Sequence, residues 1–391
     1  MWGRQRVFAL VGALAVATGA TFVAPSLAAE WTDKVSIHAY GGWALGSSDP
    51  YPYLSGSGDS DPEVDNVEAV LLFQFRPTEN VQIVLAPGWE IAQSGESAEQ
   101  SQSLEIASVE WSSSEKLRLR LGRNRLPFGI YTDIFDVGTL RPLYFLPQSI
   151  YGPTGFVNEA YNGAGISGLA PFAGGWQVDY DLFAGGTDFE TEEIFEVPAS
   201  GSDGGEAQSA EAGVEKLFGG RLTLTSPIDG LSFGASAFSG QPQARGNTAL
   251  RNPSWGDFSS YGAHLEFLRG PWNLRTEVGR HYEDEYSSKA GYVEISRRIG
   301  THWQGALRGE SVRVDFDQEL PPDAKSLLDH DELVAGISYW LSENLVLRLA
   351  YHRIEGNLFA HPSEEELADV LAAGKLDETS RLITFGAQFS F

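Results

Sequence analysis

Three basic residues at alternate positions form the first group in this sequence that could do chemistry. Lys116, Arg118 and Arg120 lie in the stretch KLRLRLGR, where leucines separate them. In an extended strand such residues project from one face, about 7 Å apart along the strand. Because like charges in a row repel, we expect this face to be offset by carboxylates or by anions that pass it.

A long segment rich in proline and aromatic residues follows this strand, at residues 124–160. It carries Arg125, Asp133, Asp136 and Arg141, and it is much less acidic than the other connecting segments. Its composition suits a segment that is packed inside the protein. A structural loop whose arginines are neutralised by its own aspartates is the alternative interpretation.

Four carboxylates at alternate positions, Asp59, Asp61, Glu63 and Asp65, form a weak candidate calcium site. The stretch DSDPEVD lacks the glycine and the distal glutamate of an EF-hand loop, so a solvated acidic loop is the favoured interpretation. No other metal site and no cofactor is predicted.

Alternation of apolar and polar residues dominates the rest of the chain, in segments of about ten residues. It is clear at 35–45, 65–75, 80–90 and 116–123, and we interpret residues 208–226 as one long strand, with two strands around FGG as the alternative. The total is sixteen strands. The pattern predicts a sheet that is apolar on one side and wet on the other.

The connections alternate in length. Short turns such as 76–80 and 112–116 are separated by longer acidic or glycine-rich segments, among them 46–64 and 91–101, with one short exception at 283–286. Short turns at one end and long loops at the other are typical of outer-membrane barrels. We therefore predict an all-β fold, a transmembrane antiparallel β-barrel of sixteen strands, with an inward-folded loop after strand 5.

The two ends of the sequence agree with a membrane barrel. Residues 1–28 have the arginines, apolar run and small residues of a secretory signal peptide, which leaves 29–391 as the barrel domain. The last residues, ITFGAQFSF, alternate to the final Phe391, as a strand that pairs with the first strand would.

The overall charge excludes one class of partner. The chain has 27 basic and 53 acidic residues and a net charge of −26, and removal of Arg4 and Arg6 with the leader lowers it by two. A nucleic-acid partner would require a basic face and is not expected. Cysteine is absent, so stability must come from the closed sheet.

The stretch LRLRLGRNRLPFGIYTDIFDVGTLRP, residues 117–142, resembles Gram-negative porins of the phosphate-selective O/P type and related uncharacterised porins. The stretch GGRLTLTSPIDGLSFGASAFSG, residues 219–240, is similar to a strand–turn–strand of the same barrels. The resemblance implies a homotrimer of channels, some of them anion-selective, in which the loop after strand 5 narrows the lumen. This chain departs from the pattern because it is strongly acidic and lacks a lysine-rich loop, so phosphate specificity does not follow.

These patterns together predict a channel of the Gram-negative outer membrane for passive diffusion of small hydrophilic solutes or ions. A sixteen-strand barrel is too wide for side chains to fill, and loop 124–160 would narrow it against the basic strand. The expected partners are outer-membrane lipid, lipopolysaccharide and the solutes. The predicted constriction comprises Lys116, Arg118, Arg120, Arg125, Asp133, Asp136 and Arg141.

Two other functions are compatible with a barrel. A barrel enzyme acting on lipid would require a nucleophile and a histidine in one constellation, but the seven histidines are scattered and no G-x-S-x-G motif occurs. A structural or adhesive barrel would rely on the acidic loops. We expect no catalytic residues.

Overall fold

The computed structural model describes residues 34–50, 53, 63–94, 97–152, 156–157, 159–190, 211–244, 258–283, 286–316, 328–360 and 379–391. The predicted signal peptide, 1–28, lies outside the described residues. So do Asp59, Asp61 and the side chains of Glu63 and Asp65, so the weak calcium prediction stays a prediction.

Sixteen antiparallel strands form one closed barrel, in which each strand pairs with its neighbours in the chain and β1 pairs with β16. The prediction of sixteen strands is confirmed, including the single long strand within 208–226. The strands are β1 Val35–Asp49, β2 Glu63–Thr78, β3 Val81–Ser94, β4 Ser97–Ser114, β5 Leu117–Arg125, β6 Ala160–Phe172, β7 Trp176–Glu190, β8 Glu211–Thr225, β9 Leu231–Ala244, β10 Phe258–Arg269, β11 Trp272–Glu283, β12 Tyr286–Ile299, β13 Trp303–Phe316, β14 Asp329–Ser342, β15 Leu345–Glu355 and β16 Thr379–Ser390.

The seam between the first and last strands explains the alternation at the C-terminal end. Tyr40 lies opposite Ser390, and the pairing continues to Asp49 opposite Arg381. Beyond the strand, the amide of Phe391 donates to the Ala39 carbonyl at 2.7 Å, and the Ala39 amide donates to the Phe391 carbonyl at 3.0 Å. These bonds satisfy backbone groups that would otherwise be exposed to lipid.

The outer surface of the barrel is apolar. On β5, Leu117, Leu119 and Leu121 point outward, and Leu121 is 63% exposed in the isolated chain. Tryptophans such as Trp272 and Trp303 lie on the outer face close to the short turns, where an aromatic girdle meets the membrane interface. Such a surface is stable only in lipid.

Among the described residues, no helix is long and apolar enough to cross a membrane.

Short turns and longer connections alternate around the barrel as predicted, including the one short connection at 283–286, where only 284–285 separate β11 from β12. A second short connection was not predicted: only two residues, 95–96, separate β3 from β4. The prediction of a loop at 91–101 is therefore wrong, since β3 and β4 extend through most of it. Strand ends beyond the lipid carry polar residues on both faces, so no alternation marks them in the sequence.

The described residues of the connection between β5 and β6, 126–152, 156–157 and 159, fold into the barrel, and we call this segment L3. It contains two 3₁₀ turns, Tyr131–Ile134 and Gly138–Leu140, and a short helix, α1, at Gln148–Tyr151. Its apolar side chains pack against the inner wall in the main hydrophobic core. The core residues that L3 contributes are Leu126, Phe128, Tyr131, Leu146, Ile150, Tyr151 and Phe156.

Candidate functional site

L3 is held by hydrogen bonds to the inner wall. Its first contacts are on β8, β9 and β11: Arg221 donates to the Gly129 carbonyl at 3.1 Å, and the Gly129 amide donates to Ser236 Oγ at 3.0 Å. The Ile130 amide then donates to Glu277 at 3.2 Å. Further along L3, wall contacts involve β13, β14, β16 and β1, through Arg308, Ser338, Ser390 and Tyr40 respectively.

Glu277 is the centre of one of these anchors and joins L3 to two wall strands. Its buried carboxylate accepts hydrogen bonds from the Tyr151 and Tyr292 hydroxyls, each at 2.6 Å. The Tyr151 hydroxyl also accepts bonds from the Ile130 and Tyr131 amides, at 3.1 and 3.0 Å. One hydroxyl therefore joins both ends of the L3 fold to the wall.

Gly129 makes the close approach of L3 to β11 possible. Its φ of +59° is a left-handed conformation, and a Cβ there would lie 2.0 Å from Glu277 Oε2 and 2.5 Å from the Tyr151 hydroxyl. Only glycine adopts this φ without strain and also leaves room for the Glu277 carboxylate and the Tyr151 hydroxyl.

Two lumen cavities flank L3. The turn-side cavity, about 370 Å³, lies between L3 and the short turns. The loop-side cavity, about 240 Å³, lies between L3 and the upper halves of β2–β4. The charged residues lining the turn-side cavity are Arg118, Arg120, Asp133, Asp179, Asp181, Arg221 and Glu266. Those lining the loop-side cavity are Glu68, Glu90, Glu105, Asp136, Arg141 and Glu159.

The charges of the turn-side cavity are mostly paired with each other. Arg120 Nε lies 2.7 Å from Glu110, and Arg120 is also 3.7 Å from Asp181. Arg221 bridges Asp181 at 3.1 Å and Asp133 of L3 at 2.7 Å. The arginines are thus held against the wall by carboxylates from neighbouring strands.

The loop-side cavity is acidic. Three carboxylates, Glu105, Asp136 and Glu159, have oxygen atoms within 4.8 Å of one another, a spacing that could hold a metal ion. The Arg125 guanidinium already supplies a positive charge there: it pairs with Asp136, and it lies 3.5 Å from Glu105 and 3.3 Å from Glu159. We therefore assign this cluster to Arg125 and not to a metal.

Glu159, at the end of L3, has a shifted pKa. Burial within the barrel, partly offset by Arg125 and reinforced by Glu105, raises the pKa of this carboxyl to about 7. Its side chain remains 45% exposed to the lumen, so its charge is felt by ions that pass.

The seven residues predicted for the constriction are divided by the structure. Arg118, Arg120 and Asp133 line the turn-side cavity, whereas Asp136 and Arg141 line the loop-side cavity. Arg125 joins the second group through Asp136, and Arg141 lies 4.0 Å from Glu68.

Lys116 does not share a strand face with Arg118 and Arg120. It lies in the turn before β5, is exposed, and lines neither cavity.

Three charged residues belong to the site but were not predicted from the sequence: Arg221, Glu110 and Glu105. Arg221, Thr223 and Thr225 occupy every second position of β8 and are separated by leucines. This pattern could have placed Arg221 in the lumen. Glu105 was hidden, because the register of β4 against β3 shifts between Ala86 and Pro87 and thereby changes which residues face inward.

One serine–histidine–carboxylate chain exists in the described part of the wall. Ser260 Oγ lies 2.8 Å from His281 Nδ1, and His281 Nε2 lies 3.5 Å from Glu283. Ser260 and His281 are fully buried, and Phe156 and Phe258 pack on the imidazole. No substrate carbonyl can reach the Ser260 hydroxyl in this arrangement, so we assign a structural role to these three side chains.

The fold is shared with solved outer-membrane proteins. An anion-selective porin from Comamonas acidovorans matches with a TM-score of 0.56 and 12% identity, covering 91% of this chain and 99% of that one. The outer membrane channel DcaP of Acinetobacter baumannii matches with a TM-score of 0.54 and 9% identity, covering 92% and 98%. The trimer form of OmpT, an outer membrane protein of Vibrio cholerae, matches with a TM-score of 0.52 and 10% identity, covering 91% and 99%.

No protein-family model and no curated protein sequence matches the chain. At these identities the likeness establishes the fold, which is that of Gram-negative porins. Together with the apolar exterior, this closed barrel places the chain in the outer membrane.

Proposed function

We propose that this protein is a passive diffusion channel for small hydrophilic solutes and ions, narrowed where L3 crosses the barrel. The observation that carries the proposal is the position of L3. It is bonded to the wall of β8, β9, β11, β13, β14, β16 and β1, and polar cavities remain on both of its sides.

The route past L3 follows β2 to β7, where the polar contacts of L3 with the wall are the ion pairs of Arg125 with Asp136 and Glu159 and of Arg141 with Glu68. Glu68, Glu110 and Arg120 lie along it, and their inward faces are polar. A charged constriction of this kind selects solutes by size and by charge. The constriction comprises the six lumen residues of the sequence prediction, Arg118, Arg120, Arg125, Asp133, Asp136 and Arg141, without Lys116.

The loop-side cavity gives the channel a preference for cations. Five carboxylates line it, and Arg125 and Arg141 neutralise them only in part. In a narrow space with low-dielectric walls, the excess negative charge raises the local cation concentration.

The test is the reversal potential of the purified protein in a planar bilayer under a tenfold KCl gradient. We expect cation selectivity that falls when Glu68 and Glu90 are changed to Gln. Arg118→Gln and Arg120→Gln should instead raise it. Anion selectivity in the wild type would show that the arginines, and not the carboxylates, set the ion preference of the constriction. Absence of conductance would refute the channel.

We also propose that the channel is a homotrimer with lipid and lipopolysaccharide around it. The trimer form of the Vibrio cholerae protein supports this assembly, since the two chains share a fold. Density-matched sedimentation in detergent should give three chains per particle. A single chain per particle would contradict the proposal.

A further inference from the structure

We propose that the turn-side cavity is a binding site for a small zwitterion, a molecule that carries a carboxylate and an ammonium group, as amino acids do. This inference rests on the proposed channel and names a class of solute that it would carry. It depends on two unpaired charges of opposite sign in one cavity.

Arg118 is the unpaired cation. Within the described part of the chain it makes no ion pair, and its Nε is buried without a protein partner. Its neighbours across β5 are two serines, Ser112 on β4 and Ser167 on β6. By contrast, Arg120 and Arg221 in the same cavity each pair with carboxylates. A guanidinium without a carboxylate is a donor fork that is free for one.

Asp179 is the unpaired anion. It accepts one hydrogen bond, from Gln177 at 3.2 Å, and it makes no ion pair with any described residue. Arg118 is opposite Ser167, Ser167 is opposite Asp181, and Asp179 is two residues further along β7. The Cα atoms of Arg118 and Asp179 are therefore about 12 Å apart, from the spacing of strands and residues.

Ser167 and His264 leave polar atoms free in the wall of the same cavity. Ser167 is 4% exposed, and its Oγ has no protein partner. His264 is 8% exposed; its Nε2 lies 3.3 Å from Thr223, and its Nδ1 has no protein partner. Buried polar atoms without partners are costly, so their presence in this wall points to a polar ligand.

The balance of charge selects a zwitterion over an ion. Three arginines and four carboxylates line the cavity, and two flanking partners, Arg275 beside Glu266 and Glu110 beside Arg120, cancel each other. One excess negative charge remains, which is too little for net charge alone to select a simple anion or a simple cation. A solute with one charge of each sign satisfies both Arg118 and Asp179, and about 370 Å³ accommodates a molecule of amino-acid size.

The experiment compares three solutes of the same size. Alanine carries both charges, lactate carries only the carboxylate, and alaninol carries only the ammonium group. Saturation-transfer NMR on the detergent-solubilised full chain measures the affinity of each without requiring transport. We expect alanine to bind with a Kd on the order of millimolar and several-fold more tightly than the other two.

Variants separate the two charges. Arg118→Gln should weaken the binding of alanine and of lactate about tenfold and leave the binding of alaninol unchanged. Asp179→Asn should weaken the binding of alanine and of alaninol to the same extent and leave the binding of lactate unchanged. Arg118→Lys and Asp179→Glu keep the charges and should retain most of the alanine affinity, which separates loss of binding from loss of folding. Lys116→Gln and Glu115→Gln remove the same charges from the exposed turn nearby and should change nothing.

The possible results distinguish failure of the zwitterion site from failure of the channel. Equal affinities for the three solutes, or an alanine affinity that Asp179→Asn leaves unchanged, would overturn the zwitterion site. A channel that conducts but fails this test keeps the proposed function and loses the inference. A barrel that binds alanine as expected but conducts no ions in a planar bilayer would refute the channel and keep the site.

Discussion

Single hydroxyls and carboxylates hold the internal loop of this barrel in place. Tyr151 is the clearest case, because its hydroxyl donates to Glu277 and accepts from two backbone amides of L3. A residue in the middle of a mobile loop would have no such set of bonds. The loop is therefore part of the packed interior and not an appendage of it.

Tyr151→Phe should loosen L3 while the barrel stays closed. Loss of this hydroxyl leaves the buried Glu277 carboxylate and two amides with fewer partners, at a cost of about 1–3 kcal/mol. We expect faster chymotryptic cleavage of L3 after Phe145, measured on the folded protein in detergent. Tyr261 lies on the outer face and is 51% exposed, so Tyr261→Phe should not change the rate of cleavage. Equal cleavage rates for the two variants would contradict the anchoring role of Tyr151.

Glu159 should make the selectivity of the channel depend on pH near neutrality. Because its pKa is raised to about 7, the carboxyl is neutral below that pH and ionises as the pH rises through it. The added negative charge next to Glu105 should increase cation preference between pH 6 and 8.

Reversal potentials measured across that pH range test this expectation. Glu159→Gln should remove the dependence, and Glu115→Gln, in an exposed turn, should leave it intact. A wild-type reversal potential that stays constant from pH 6 to 8 would contradict the assignment.

At the scale of elements, L3 and the strands define the lumen together. Most of the wall that packs with L3 in the main hydrophobic core lies on β8 to β16, with Tyr161 of β6 and Phe183 of β7 beside it, whereas much of the polar lining of the two cavities comes from β2 to β7. One of the close contacts that position the loop is at Gly129, where it turns against β11.

Gly129→Ala should displace L3 and change the single-channel conductance. The new Cβ would overlap Glu277 and the Tyr151 hydroxyl, and the positive φ adds about 1–2 kcal/mol of strain. Gly270→Ala is the matched control: its φ is +58°, but a Cβ there meets nothing within 4 Å. It should show the strain alone, as a small loss of stability with unchanged conductance. A conductance that is the same in both variants would show that L3 does not control the pore.

On the scale of the whole molecule, charge is distributed unevenly along the barrel axis. The loop-side cavity carries an excess of carboxylates, and the turn-side cavity is nearly balanced, with one excess negative charge. Such a channel has a dipole along its axis, and ions entering from the two ends meet different potentials.

This asymmetry predicts a rectifying current. In symmetrical KCl at about 0.1 M the current should differ between the two polarities, and at about 1 M the difference should disappear, because the screening length falls to about 3 Å. The double variant Glu68→Gln, Glu90→Gln should reduce the rectification. A double variant of exposed turn residues, Glu115→Gln and Glu343→Gln, should not. A current that is symmetrical at low salt would contradict the charge distribution described here.

The sequence alone determined the barrel. Period-two alternation shows which face of a strand meets lipid, and it predicted the sixteen strands and their order. The inward loop after β5 was predicted from the composition of 124–160 and from the resemblance to porins. Alternation also placed Arg118 and Arg120 in the lumen. The signal failed at 91–101, where strands leave the lipid and both faces become polar, and at Glu105, where a bulge shifts the register.

Only the tertiary structure decided which charges meet. Lys116, Arg118 and Arg120 look alike in the sequence, yet one lies in a turn, one is unpaired and one is bound by Glu110. Asp133 and Asp136 are three residues apart, but they pair with arginines of different strands, on opposite sides of L3. The physical reason is that alternation is a local property, whereas ion pairing depends on the register of distant strands and on the path of L3 through the lumen.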